Sequence, residues 1–126
     1  MYSDTLLDHF RSPRNVGMMR NADAVGESED PTCGDLARFY LRVRDGQVAE
    51  ARFQTYGCGP SIAASSLVTE LIRDRGIEEL GELSAEAVER ALGGLPAERR
   101  HAATLVVEAL RVAAERYRSP REVSRV

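Results

Sequence analysis

Cys33-Gly34-Asp35 and Gly57-Cys58-Gly59 hold the only two thiols of the chain, each beside glycine, the first with a carboxylate two residues on. The thiolate is the nucleophilic and metal-ligating form of cysteine. Two sulfurs and one oxygen on backbone this bare suit a soft or borderline cation, with thiol chemistry as the other use. In extended backbone, residues two apart face the same side, so Cys33 and Asp35 are expected to address one spot. Cys58 precedes a helical pattern that opens with Gly59-Pro60. At a helix start, unpaired N–H groups and the helix dipole favour an anion, which lowers the cost of ionising sulfur. A fourth ligand would complete a tetrahedral set, and the chain offers only His9 and His101. His9 falls on an amphipathic first helix and reads equally as a surface or packing residue. His101 falls in the first turns of the last helix, whose approach direction the spacing leaves open.

The elements that must position these residues begin with a hairpin. In LARFYLRVR, Ala37, Phe39, Leu41 and Val43 alternate with Arg38, Tyr40, Arg42 and Arg44, a period of two that describes a strand with one buried face. Asp45-Gly46 is a tight-turn dipeptide, and VAEARFQTY is expected to return with Ala49, Ala51 and Phe53 on one face. The two strands of such a hairpin are antiparallel, so the start of the first and the end of the second share one end of the sheet. Cys33, Asp35 and Cys58 are therefore expected to be neighbours.

Around the hairpin, a first helix runs from an N-cap at Ser3 to about Arg11, with Leu6, Leu7 and Phe10 as its apolar stripe. A short edge strand is expected over 22–26, and Met18 and Met19 read as core filling or loop cover. SIAASSLVTELIRDRG predicts a helix ending at Gly76, and SAEAVERALGG a short one capped by Ser84. The last helix follows Leu95-Pro96, with Leu105, Ala109, Val112 and Ala113 as its stripe. The fold class is α+β: a small antiparallel three-stranded sheet with helices packed on one face. One domain is expected over 1–118 and a flexible polar tail over 119–126.

Composition excludes several functions. The chain has 126 residues and a net charge of −3, and its basic residues apart from histidine are all arginine. Without lysine there is no Schiff-base nucleophile, and scattered arginines on an acidic chain argue against nucleic acid as a partner. No apolar run of about 18 residues is present, so no membrane span is expected. A charged, amphipathic start without a signal-peptide pattern points to the cytoplasm, where a sizeable core needs no disulfide. A hydrolase with Cys58 as nucleophile and His101 as base fits the residue types but leaves Asp35 better explained as a ligand.

At these same residues the chain resembles the NifU/IscU-type iron–sulfur cluster assembly scaffolds. The resemblance runs from Tyr2 to about Tyr117 through YSDTLLDHFRSPRNVG, CGD at Cys33–Asp35 and ARFQTYGCGPSIAASSLVTE. It implies a SufE/NifU-like fold and a non-enzymatic scaffold that binds iron, builds a [2Fe–2S] cluster and passes it to apo iron–sulfur proteins. A cysteine desulfurase would supply sulfur as persulfide, and zinc is an alternative occupant. The implied ligands are Cys33, Asp35, Cys58 and His101, with Cys58 as a possible persulfide acceptor. Two departures stand out. The family places a third cysteine directly after the histidine, where this chain has Ala102. Its chaperone motif LPPVK reads LPAER at Leu95–Arg99, and Glu98 there weakens the case for the heat-shock-type ATPase chaperone. A zinc-dependent sulfur acceptor for a desulfurase, or a metal-binding homologue without assembly activity, are the alternatives.

Overall fold

The structure is a computed structural model that describes residues 2–124 and side chains as far as Tyr117. The elements run α1 (Asp4–Arg11), β1 (Ala24–Glu29), β2 (Leu36–Arg44), β3 (Gln47–Tyr56), α2 (Gly59–Leu71), α3 (Ala85–Ala91) and α4 (His101–Ser124). Single 3-10 turns occupy Ile77–Gly81 and Ala97–Arg99. The α+β expectation holds: β1, β2 and β3 form one antiparallel sheet in that order, covered by helices.

The hairpin turns at Asp45 and Gly46, both at positive φ (53° and 76°), as a primed turn requires. Leu36 pairs with Tyr56, Phe39 with Phe53 and Leu41 with Ala51. Ala37, Phe39, Leu41, Ala51 and Phe53 are all buried on the inner face, and the two phenyl rings pack with centroids 6.2 Å apart. Near the turn the register slips: Arg42 faces Glu50 but Val43 faces Val48. Ala49 is the extra residue of a β-bulge, which reverses the alternation beyond it. Val48 is consequently the buried residue, and Ala49, expected inward, is half-buried, as is Val43. The edge strand lies at Ala24–Glu29 rather than 22–26.

Two helix expectations need correction. In α1, Ser3 does cap, accepting from the Leu6 N–H at 3.0 Å, and its hydroxyl donates to the Leu92 carbonyl. Of the stripe only Leu6 is buried; Phe10 is 45% exposed, so that side of the helix faces outward. Helix α2 stops at Leu71, five residues before Gly76. The chain after it is claimed by β3 instead: Val48 N–H donates to Arg75 O and Asp74 N–H to Val48 O, both at 2.8 Å. Helix α4 runs to Ser124; of the polar tail expected over 119–126, residues 125–126 lie outside the described residues. Leu105, Ala109 and Ala113 face inward as expected, joined by Val106 and Leu110, while Val112 is half-buried. Met19 is buried and Met18 exposed. Among the described residues no helix is long and apolar enough to cross a membrane.

The buried hydroxyls of helix α2 are paired, as burial demands. Helix α2 is buried on nearly every side, and Ser61, Ser65, Ser66 and Thr69 sit in it out of solvent. Ser66 Oγ accepts from the Arg14 N–H at 2.9 Å and is hydrogen-bonded to His9 Nδ1 at 2.7 Å. His9 is therefore a packing residue, with Nε2 3.5 Å from Glu70. Burial holds its pKa below the ordinary histidine value, with Arg14 adding to the shift.

Helix α4 lies across β1 where Gly26 removes the obstacle. A Cβ there would stand 2.2 Å from Ala113 N and 2.4 Å from Ala109 O, both backbone atoms of α4. Glycine permits this approach because it has no Cβ. Gly26→Ala should therefore lower stability by about 1–3 kcal/mol or more through overpacking, read from denaturant unfolding. Gly81→Ala, where an added Cβ meets nothing within 4 Å, should leave the midpoint nearly unchanged.

Candidate functional site

The pairing of Leu36 with Tyr56 puts the segment before β2 beside the segment after β3. Asp35 and Cys58 meet there. Cys58 is the N-cap of α2, in extended conformation (φ −76°, ψ 165°), with Pro60 in the first turn. Its thiol makes no capping hydrogen bond. The carboxylate of Asp35 stands at the helix start instead: Oδ2 accepts from the Ser61 hydroxyl at 3.0 Å and lies 3.4 Å from Cys58 N. Ser61 Oγ is also 3.2 Å from Cys58 Sγ, so one hydroxyl bridges the carboxylate and the sulfur. Gly57 makes room for this, since a Cβ on it would stand 2.5 Å from Asp35 Cγ.

Asp35 is only 8% exposed. Burial alone would raise its pKa, but hydrogen bonds from Ser61, from the Cys58 N–H and from both thiols favour the charged form. Together they hold it below the ordinary carboxylate value.

His101 opens α4 and reaches the same place. Its Nε2 is 3.7 Å from Asp35 Oδ2, and that nitrogen is buried without a hydrogen-bond partner. A buried ring nitrogen left unpaired is costly, and a cation accepting its lone pair would satisfy it. Asp35, Cys58 and His101 each offer a ligand atom, all within 4.8 Å of one another. Oxygen, sulfur and nitrogen in one such group suit a borderline divalent metal.

Cys33 lies close enough to Asp35 for the two side chains to interact, as expected, but it is not grouped with Cys58. The two sulfurs fall in two separate groups that share His101: Cys33 joins Asp30 and His101, again with all ligand atoms within 4.8 Å. Cys33 ends a turn, so it comes beside Asp35 without the extended backbone expected of the segment. Gly34 has φ +78°, its N–H donates to Asp30 O at 2.7 Å, and β2 starts only at Leu36. Cys33 is exposed, whereas Cys58 is half-buried. The Asp35 N–H favours the Cys33 thiolate, but desolvation and the carboxylates of Asp35 and Asp30 outweigh it and hold the thiol above the ordinary cysteine value. Ala102, next to His101, is fully buried, so this chain packs a methyl group where a third thiol would stand.

Sequence reading missed Ser61 and Asp30. Ser61 was detectable as the third residue after an N-cap, the position that faces the cap side chain. Asp30 was detectable from Asp-Pro-Thr, a turn sequence in which the carboxylate bonds the N–H two residues on. It does so here, from Thr32 at 2.9 Å.

The fold is a small α+β domain that gathers sulfur, oxygen and nitrogen donors, a candidate metal-ligand group, where one sheet end meets two helix starts. Its backbone superposes on a NifU-like N-terminal protein of Brucella abortus with a TM-score of 0.76 at 19% identity, over 92% of this chain and 93% of that one. The SUF-system protein FiSufU of Fervidobacterium islandicum gives 0.74 at 18% identity, over 90% and 96%. At these identities the likeness is one of fold.

The family described as the NifU-like N terminal domain matches residues 1–123, and the chain belongs to it. The iron–sulfur cluster assembly scaffold protein IscU 1 of Archaeoglobus fulgidus is 46% identical over 111 residues, 88% of this chain and 72% of its own length. IscU of Escherichia coli is 38% identical over 125 residues, 96% and 97% of the two chains.

Ser61→Ala should raise the Asp35 pKa toward the ordinary value, read by carboxyl-carbon NMR titration of the metal-free protein. The depressed pKa contributes stability above the ordinary carboxylate range that is lost as pH falls through the folded value. The variant should therefore lose less stability on acidification. An unmoved midpoint would assign the shift to the remaining donors.

Proposed function

We propose that this chain is an iron–sulfur cluster assembly scaffold: it holds iron and sulfide as cargo and passes the product to apo-proteins. The observation that carries the reading is the unpartnered, buried Nε2 of His101 beside Asp35 and Cys58, in a chain whose relatives are named as such scaffolds. Asp35, Cys58 and His101 hold the cargo, and Cys33 joins from its exposed turn to supply the second thiolate. Thiolates are the usual partners of iron–sulfur clusters and histidine can replace some of them. A carboxylate is a poorer partner for such a cluster than sulfur, so Asp35 keeps the product releasable.

Sulfur arrives as persulfide from a cysteine desulfurase. Without a thiol at 102, the acceptor is Cys58. Cys58 lines a pocket together with Leu6, Phe10, Pro60 and Arg99, which a partner loop can enter. That pocket also favours the second reading, a zinc-holding sulfur acceptor that never builds a cluster. Mass spectrometry after incubation with desulfurase and cysteine should show one added sulfur on Cys58 in either case.

Anaerobic reconstitution separates the two. With iron(III) and sulfide, the metal-stripped chain should develop the visible absorption of a [2Fe–2S] cluster, and Cys58→Ser should abolish it. Ala102→Cys should give a longer-lived chromophore if cluster stability is limited by the number of thiolates. A chain that binds zinc stoichiometrically and yields no chromophore with iron and sulfide would overturn the scaffold reading.

A further inference from the structure

We propose that the pocket beside Cys58 binds a low-molecular-weight persulfide that carries a carboxylate, and that Cys58 takes the outer sulfur from it directly. The pocket has a volume of about 290 Å³, and its lining includes Tyr2, Leu6, Phe10, Cys58, Pro60 and Arg99. That volume lies at the small end of the range for ligand pockets, and it suits a molecule of a few carbons. Tyr2 and Phe10 are exposed aromatics, the kind of surface that marks a binding site when it is contiguous. Phe10 lies against the start of α2: a Cβ on Gly59 would stand 3.2 Å from its ring carbon Cε1. Glycine at 59 thus admits an aromatic ring against the backbone next to Cys58.

Arg99 supplies the charge. It is exposed and lines the pocket. It stands close enough to the Tyr2 side chain to hydrogen-bond, and close enough to Cys58 for their charges to interact. Neither Asp35 nor Glu98, the carboxylates that would repel an anion here, lines the pocket. A guanidinium matches a carboxylate with paired N–H donors, while a short carbon chain rests on Leu6, Phe10 and Pro60. Held at that end, the ligand presents its persulfide to Cys58. Transfer is redox-neutral. The Cys58 thiolate attacks the outer sulfur, a bond forms between Sγ and that sulfur, and the S–S bond of the carrier breaks. The carrier leaves as a thiolate and takes up the proton that Cys58 gave, so no oxidant or reductant is consumed. The inference rests on Cys58 as the sulfur acceptor and gives it a second source of sulfur, one that needs no partner protein.

The probes are the persulfides of mercaptopropionate and mercaptoethanol, which share a two-carbon arm and end on a carboxylate or a hydroxyl. Each is added anaerobically to the full, metal-stripped chain, and peptide mass spectrometry follows added sulfur on Cys58 and Cys33 separately. Relative to the same comparison on free N-acetylcysteine, Cys58 should gain sulfur about tenfold faster from the carboxylate probe, the scale of one hydrogen bond to a charged group. Arg99→Gln should remove that preference and leave the rates at Cys33 unchanged. Arg100→Gln controls for net charge, since Arg100 is exposed, pairs with Glu89 and does not line the pocket; it should keep the preference. No sulfur on Cys58 from either probe, equal corrected rates, or a preference that survives Arg99→Gln overturns the inference. So does a preference lost equally in Arg100→Gln. Failure of the acceptor reading looks different, because desulfurase with cysteine then also leaves Cys58 without added sulfur.

Discussion

The pairing of Leu36 with Tyr56 at the open end of the β2–β3 hairpin is the constraint from which the candidate site follows. Antiparallel strands joined by a tight turn must start and finish at the same end. The residues just outside that pair are Asp35 on one side and Gly57-Cys58 on the other. The carboxylate arrives where α2 begins, and the helix start supplies what a buried carboxylate needs, a hydroxyl and the nearby N–H of the cap. A one-residue slip would turn the inner face of the strand outward, so Phe39 and Phe53 hold the register as firmly as the turn does. The bulge at Ala49 lies at the other end of the hairpin, where its change of alternation leaves the site untouched.

The third donor depends on helix–sheet packing. His101 is the first residue of α4, and α4 can lie on β1 only because Gly26 offers no Cβ to its backbone. Alanines at 109 and 113 supply the matching thin face on the helix. Close packing in the middle of the helix therefore sets where its first residue stands. Ala102, beside His101, is fully buried, and the unpaired nitrogen of His101 keeps its demand for a partner.

Two carboxylates with opposite surroundings divide the site. Asp35 is out of solvent and surrounded by donors, which hold it ionised. Asp30 sits in a turn at the surface, where the Thr32 N–H is the first cause of its lowered pKa. Desolvation and the negative charge of both hold the pKa of the exposed Cys33 above the ordinary cysteine value. A cation in either position neutralises part of that charge and removes the obstacle to ionising sulfur. Metal binding and thiol ionisation are thus coupled through the acidic residues as much as through the sulfurs.

Much of this was legible in the chain. Alternation in LARFYLRVR and the Asp45-Gly46 turn dictate the hairpin, because side-chain period and turn chemistry are local properties. The hairpin in turn brings Asp35 and Cys58 together, and Ser3 and Ser84 mark helix starts for equally local reasons. The end of α2 was not legible, since residues 74–75 leave the helix to hydrogen-bond Val48 across the fold. Nor was the bulge that buries Val48 in place of Ala49. The grouping of Cys33 with Asp30 turned on the left-handed φ of Gly34, a conformation glycine allows but does not compel. The position of His101 required the whole of α4 to find its seat on β1. Residue types and local pattern settled which donors exist; long-range backbone hydrogen bonds and steric fit settled which of them meet.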